Sequence, residues 1–104
     1  MAKYLFVYHG GSMPETKADQ AREMDAWGQW MGGMKSAIVD GGSPVGKSST
    51  VNSDGSVSDN GGANPTSGYT LIEAASLQDA LGHAKKCPIL ANGGSVEVAE
   101  SIDM

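Results

Sequence analysis

The chain has 104 residues, 39% of them hydrophobic and 18% charged, and a net charge of −5 at pH 7. That length predicts one domain, and no apolar run approaches the ~20 residues of a membrane span. Seven basic residues, with Lys85-Lys86 their only adjacent pair, argue against a nucleic-acid or anionic-membrane partner.

The opening Met1-Ala2-Lys3-Tyr4-Leu5 reads as a short apolar strand rather than a signal peptide. The single cysteine, Cys87, leaves no internal disulfide to form. Together these predict a reducing, cytoplasmic setting. Residues 3–9 are the first predicted strand, with Leu5, Val7 and His9 pointing one way and Tyr4, Phe6 and Tyr8 the other. Both faces are largely apolar, which predicts a central strand.

Ser12 and Glu15 have the S-x-x-E spacing of a capping box, with Pro14 in the first turn. A helix then runs to about residue 31, with Met24, Trp27, Met31 and Met34 as its core stripe and Trp30 widening it. Gly28 inside it suggests close packing, and Gly32-Gly33 supplies the stop. Ala37-Ile38-Val39-Asp40 is a short second strand ending at Gly41-Gly42. From there to Ser67 the chain turns rich in Gly, Ser, Asn, Asp and Pro. Ser49-Thr50-Val51 and Ser56-Val57-Ser58 flank Asn52-Ser53-Asp54-Gly55, a hairpin signal. A long ordered loop in a compact domain is more often functional than a short one; a disordered one is the alternative.

The last third is the clearest. Gly68-Tyr69-Thr70-Leu71-Ile72-Glu73-Ala74 is a strand. Ser76 and Asp79 start a helix whose apolar stripe is Leu77, Ala80, Leu81 and Ala84. Lys85 and Lys86 suit its C-terminus and Pro88 stops it. Gly93-Gly94 turns into the alternating Ser95-Val96-Glu97-Val98-Ala99-Glu100-Ser101-Ile102. The order β-α-β-hairpin-β-α-β is the ferredoxin-like βαββαβ pattern, an α+β fold with an antiparallel sheet and an extra hairpin or loop at 41–67. Two helices cover one face of such a sheet. The apolar residues on the other predict a second copy packed sheet to sheet, a homodimeric α+β barrel.

The opening Met1-Ala2-Lys3-Tyr4-Leu5-Phe6-Val7-Tyr8, the Gly68–Ala74 strand with Ser76-Leu77, and the closing Gly94-Ser95-Val96-Glu97-Val98 together resemble the YCII-related family, which includes the DGPF-domain proteins. The resemblance implies a dimeric α+β barrel with a small-molecule pocket between sheet and first helix. It also implies a role for Asp59, which opens Asp59-Asn60-Gly61-Gly62 where many members have Asp-Gly-Pro-Phe. The histidine that many members carry in the first helix is missing from Met24-Asp25-Ala26-Trp27-Gly28.

Gly41-Gly42-Ser43-Pro44-Val45-Gly46-Lys47-Ser48 matches the spelling of a phosphate-binding loop. The next residues, Ser49-Thr50-Val51-Asn52-Ser53-Asp54-Gly55, are no helix start, so a glycine-rich turn before a hairpin is the better reading. Tyr8-His9-Gly10-Gly11-Ser12 would suit an esterase oxyanion loop, but no G-x-S-x-G elbow accompanies it. His9 ends its strand beside a glycine turn, where an imidazole either does acid/base work or bonds loop backbone. Its partner would be Asp59, the catalytic pair's second member, or Asp40; Asp59 as a plain turn residue is the alternative. Glu100 falls on the inward phase of its strand and is a substrate-binding candidate unless a bulge moves it outward. Trp27 either shapes the pocket or packs in the core. Cys87 reads as inert and His83 as a surface residue. No metal-ligand spacing is present, so neither a metal nor another cofactor is predicted. Two functions remain: a small-molecule enzyme using acid/base chemistry of the isomerase or lyase type, or a non-catalytic ligand-binding or protein-interaction module of the same fold.

Overall fold

The computed structural model describes residues 1–12 and 14–104. The elements are β1 (Ala2–His9), α1 (Lys17–Gly33), β2 (Ile38–Asp40), β3 (Thr50–Val51), β4 (Val57–Ser58), β5 (Thr66–Ala74), α2 (Leu77–Ala84) and β6 (Ser95–Ser101). β2-β5-β1-β6 form a four-stranded sheet, and β3-β4 form a separate two-stranded ribbon. Every pairing is antiparallel. This is the ferredoxin-like α+β fold.

β1 is central, as its two apolar faces require. Tyr4, Phe6 and Tyr8 are buried beneath the helices, and Ile72, Thr70 and Ala74 of β5 are buried on the same face. Phe6 and Ile72 have no exposed surface, and each such side chain contributes roughly 1.5–3 kcal/mol. The one fully buried polar side chain among these, Thr70, donates to Gly41 O (3.0 Å). Its oxygen is then free to accept from the Tyr8 hydroxyl (2.6 Å), so both polar groups are satisfied.

α1 begins later than the capping box predicts. Thr16, extended at φ −94° and ψ 152°, is the N-cap, and its hydroxyl accepts from Asp19 N (3.1 Å). A T-x-x-D signal thus outcompetes Ser12 and Glu15, and Pro14 O accepts from Gln20 Nε2 instead (3.0 Å). Met24 is 76% exposed and leaves the predicted stripe. Trp27, Trp30 and Met31 pack on the core, with Met34 buried. Gly28 has no neighbour that a side chain would meet, so it serves no close packing. Gly32 and Gly33 stay inside the helix and Met34 caps it, because burying Met34 draws the last turn onto the sheet.

Trp27 meets Tyr8 edge-on at 5.2 Å, and Trp30 stacks near Phe6 at 6.3 Å. Both indole N–H groups are satisfied, Trp27 by Glu23 Oε1 and Trp30 by His83 O, each at 2.9 Å. α2 starts as predicted, with Ser76 Oγ accepting from Asp79 N (3.2 Å). Ala80 and Ala84 are buried, while Leu77 remains exposed. A 3-10 turn (Pro88–Asn92) follows, and Gly93 at φ +79° closes it.

The molecule is a plate of 43 × 42 × 18 Å, one sheet and one helix layer thick. Its accessible surface is 6962 Å², against about 5,500 Å² for a monomeric globule of 10.7 kDa. Its radius of gyration is 14.9 Å, where about 13 Å suits this length. Leu5, Val7 and Leu71, half-buried, centre the open face of the sheet. Val39 and Tyr69 are exposed on that same face.

Candidate active site

β1 and β5 slip register at the end of β1: Tyr8 faces Gly68 but His9 faces Thr66, so Ser67 is left over. Gly68 makes the irregularity feasible. A side chain there would come within 3.0 Å of Ser43 O and 3.2 Å of Pro44 Cα, because residues 43–45 run beside it. Val45 N donates to Ser67 O (3.0 Å) and Tyr69 N to Ser43 O (3.3 Å). Bulges of this kind re-aim a side chain and often border active sites.

The side chain presented here is His9. Register with β6 stays regular, Tyr8 opposite Val96 and His9 opposite Ser95, so His9 and Glu97 both stand on the open face. His9 Nε2 donates to Glu97 Oε1 (2.9 Å), and Nδ1 donates to Pro65 O (3.2 Å). A carbonyl can only accept and a carboxylate accepts, so both ring nitrogens carry protons and the favoured state is imidazolium. The Glu97 hydrogen bond, outweighing partial burial, raises the His9 pKa above its ordinary value, with help from the Pro65 and Asn64 carbonyls. His9 is 11% exposed and Glu97 68%. The imidazole is therefore enclosed, while the carboxylate it bonds stays in contact with solvent.

Glycines lock the backbone around this pair. Gly10 and Gly11 are left-handed at φ +69° and +82°. A Cβ on Gly94 would come within 2.7 Å of His9 O and 2.9 Å of Gly11 N. The start of β6 is pressed against the end of β1, which holds Glu97 to His9.

The other sequence-derived candidates lie elsewhere. Asp59 does not pair with His9. It is 90% exposed and bridges to Lys47 Nζ at 3.3 Å, because the hairpin carries it out from the sheet. Asp40 is separated from β1 by β5. Its Oδ1 accepts from Gly42 N (2.9 Å) and its Oδ2 from the Tyr69 hydroxyl (3.1 Å), which raises the Tyr69 pKa. Trp27 packs on Tyr8, across the sheet from His9. Glu100 keeps its phase opposite Tyr4 but is exposed at the sheet's end. Burial raises the Tyr4 phenol, helped by the charges of Glu100 and Asp79. Glu97 escaped the sequence reading. Its signal was its phase, opposite to Val96 and Val98, which faces it toward His9 once β6 is paired with β1.

Lys47 and Ser48 lead into strand β3, not a helix, so the phosphate-loop spelling has no phosphate-loop geometry. Cys87 is buried, which pushes its thiol up to about 11 and leaves it unreactive. Among the described residues no three of His, Cys, Asp and Glu cluster as metal ligands, and no helix is long and apolar enough to cross a membrane. A groove of about 530 Å³ lies on the helix side, lined by Ala26, Trp30, Met34, His83, Lys86 and Pro88 among others. It does not include His9.

No family model matches the chain, and no curated protein matches it. Among solved structures it is similar to the 5-chloro-2-hydroxyhydroquinone dehydrochlorinase TftG from Burkholderia phenoliruptrix AC1100, in complex with 2,5-dihydroxybenzoquinone. The TM-score is 0.56 at 17% identity, over 96% of this chain and 95% of that one. The two share a fold along their whole length.

Proposed function

We propose that the protein is a cytoplasmic small-molecule enzyme, YCII-like, that performs acid/base chemistry of the elimination or isomerisation type as a homodimer. The observation that carries this is the His9–Glu97 pair, held at 2.9 Å on the open face of the sheet. Pro65 O pins Nδ1–H and so aims Nε2–H outward. That proton is donated to a leaving group or a developing oxyanion. As it leaves, Glu97 is released and accepts a proton from the substrate. Transfer from Glu97 to Nε2 across the same hydrogen bond restores the resting pair, so no net proton is gained or lost by the protein.

The surplus surface and the apolar centre of the open face support the second copy. A sheet-to-sheet dimer would wall the His9–Glu97 pair into a cleft and make its electrostatics stronger by excluding water. The likeness to a dehydrochlorinase supports small hydroxylated or quinonoid rings as first substrates to try. The test is chloride release from chlorinated hydroxyhydroquinones, after a thermal-shift screen of such rings. His9→Asn and Glu97→Gln should each lower kcat by about 10²–10⁴-fold. Full turnover by both variants would refute the assignment.

A second reading, a non-catalytic ligand-binding module, has the helix-side groove in its favour, since its Trp30 wall, with Glu23, His83 and Lys86 beside it, suits a polar aromatic ligand. In that case a ligand quenches Trp fluorescence equally in the wild type and in His9→Asn, and no product forms.

A further inference from the structure

We infer that the β3-β4 ribbon is a clasp for a second copy of this chain, each copy seating its Val51 and Val57 on the other's open sheet face. This rests on the dimer proposed above. Val51 and Val57 lie directly opposite in the ribbon and are 73% and 67% exposed. A two-stranded ribbon is at best marginally stable by itself, yet this one is well tied internally. Asn52 Nδ2 donates to Ser56 Oγ and Ser58 Oγ, each at 3.0 Å. Asp54 Oδ1 accepts from Ser56 N (2.9 Å), which with the Ser56 hydroxyl lowers the Asp54 pKa. Gly55 turns the chain at φ +88°. The ribbon is thus built to hold an apolar pair in place, and that pair covers nothing in its own chain.

Surface area and symmetry identify the occupant. The chain exposes about 1,450 Å² more than a monomer of its mass. A standard interface takes about 800 Å² from each partner, and a permanent homodimer more. A closed two-fold dimer must find donor and acceptor patches on one chain. The acceptor present is the open face, where exposed Val39 and Tyr69 adjoin Leu71. A membrane is a poor alternative for a chain of net charge −5.

The clasp also reaches the proposed site. Thr50 Oγ1 donates to Asn60 O (2.7 Å) and Lys47 bridges to Asp59 (3.3 Å), tying the ribbon to residues 59–65. That segment ends at Pro65, whose carbonyl holds His9 Nδ1. Seating the ribbon on a second copy therefore steadies the acceptor that orients the imidazole.

The test is sedimentation equilibrium of the full chain and of V51D/V57D. The clasp predicts a dimer dissociation constant raised at least tenfold in the double variant, with far-UV circular dichroism unchanged. A wild-type dimer matched in affinity by the variant overturns the clasp alone. A wild-type monomer at a loading of about 100 micromolar, well above the dissociation constant of a micromolar dimer, overturns the dimer and the clasp together. If V51D/V57D does not fold, V51S/V57S is read by the same criteria.

Discussion

On the helix side of β1, Tyr4, Phe6 and Tyr8 lose nearly all contact with solvent. On the other side Leu5, Val7 and His9 lose only part of it. The residues alternate along one strand, and Leu5 and Val7 are as apolar as their neighbours. What differs is the cover: two helices on one face, and on the other only the segment that ends at Pro65, which reaches over His9. Apolar content alone therefore marks a face as buried without saying by what. The helix face is a finished core, complete with satisfied Tyr8, Thr70, Trp27 and Trp30. The open face combines an apolar centre with a charged pair at its end, and it is this combination that the proposed dimer and the proposed acid/base chemistry rest on.

The largest contrast between the faces should come from cutting one side chain on each. Phe6→Ala should cost the chain about 3–5 kcal/mol, because the cavity left between β1 and α1 cannot fill with water or collapse. Leu5→Ala should cost the isolated subunit under about 1 kcal/mol, since a half-buried side chain has little left to lose, but should weaken the dimer. Urea unfolding at low protein concentration, beside sedimentation, separates the two. Equal costs in dilute solution would mean that the open face is packed within one chain.

A smaller effect distinguishes charge from packing at His9. Its pKa is raised in the folded state, so the stabilisation it provides is full below the unfolded value near 6.5. It is lost as pH rises through the folded pKa. Glu97→Gln should move the His9 titration, followed by NMR of the ring protons, down toward the ordinary value. Its stability deficit against wild type should be present at about pH 6 and vanish at alkaline pH. A deficit independent of pH would show that Glu97 acts by packing.

Much of this fold was legible from residues with local signals. The strand at Gly68–Ala74, the Ser76 cap and the Asp-Gly hairpin depend on neighbours within a few positions, and they appear where predicted. The start of α1 was misread because two S/T-x-x-D/E signals, Ser12 to Glu15 and Thr16 to Asp19, follow one another directly, and the helix takes the second. Met24 misled for a related reason: a helical stripe fixes spacing, not which side faces the sheet. The site divided along the same line. His9 stood out by its place before Gly10-Gly11. Glu97 did not, because its meaning depends on a strand 88 positions away in sequence. Asp59 drew attention through resemblance, and the hairpin that carries it away from His9 is a matter of three-dimensional reach.

The smallest effect tests the bulge itself. Ser67 is the β5 residue left over opposite the step from Tyr8 to His9, and its Oγ is buried with no hydrogen-bond partner among the described residues. A buried hydroxyl in that state costs about 1–3 kcal/mol of lost hydration. Ser67→Ala removes the hydroxyl while keeping the backbone, so it should raise stability by about 1 kcal/mol in urea unfolding and leave the His9 titration unmoved. The helix face offers the control, since Thr70→Ala removes a hydroxyl that is bonded to both Tyr8 and Gly41 and should destabilise. If Ser67→Ala destabilises as Thr70→Ala does, the Ser67 hydroxyl has a partner on the open face, and the region around His9 is as fully packed as the core beneath the helices.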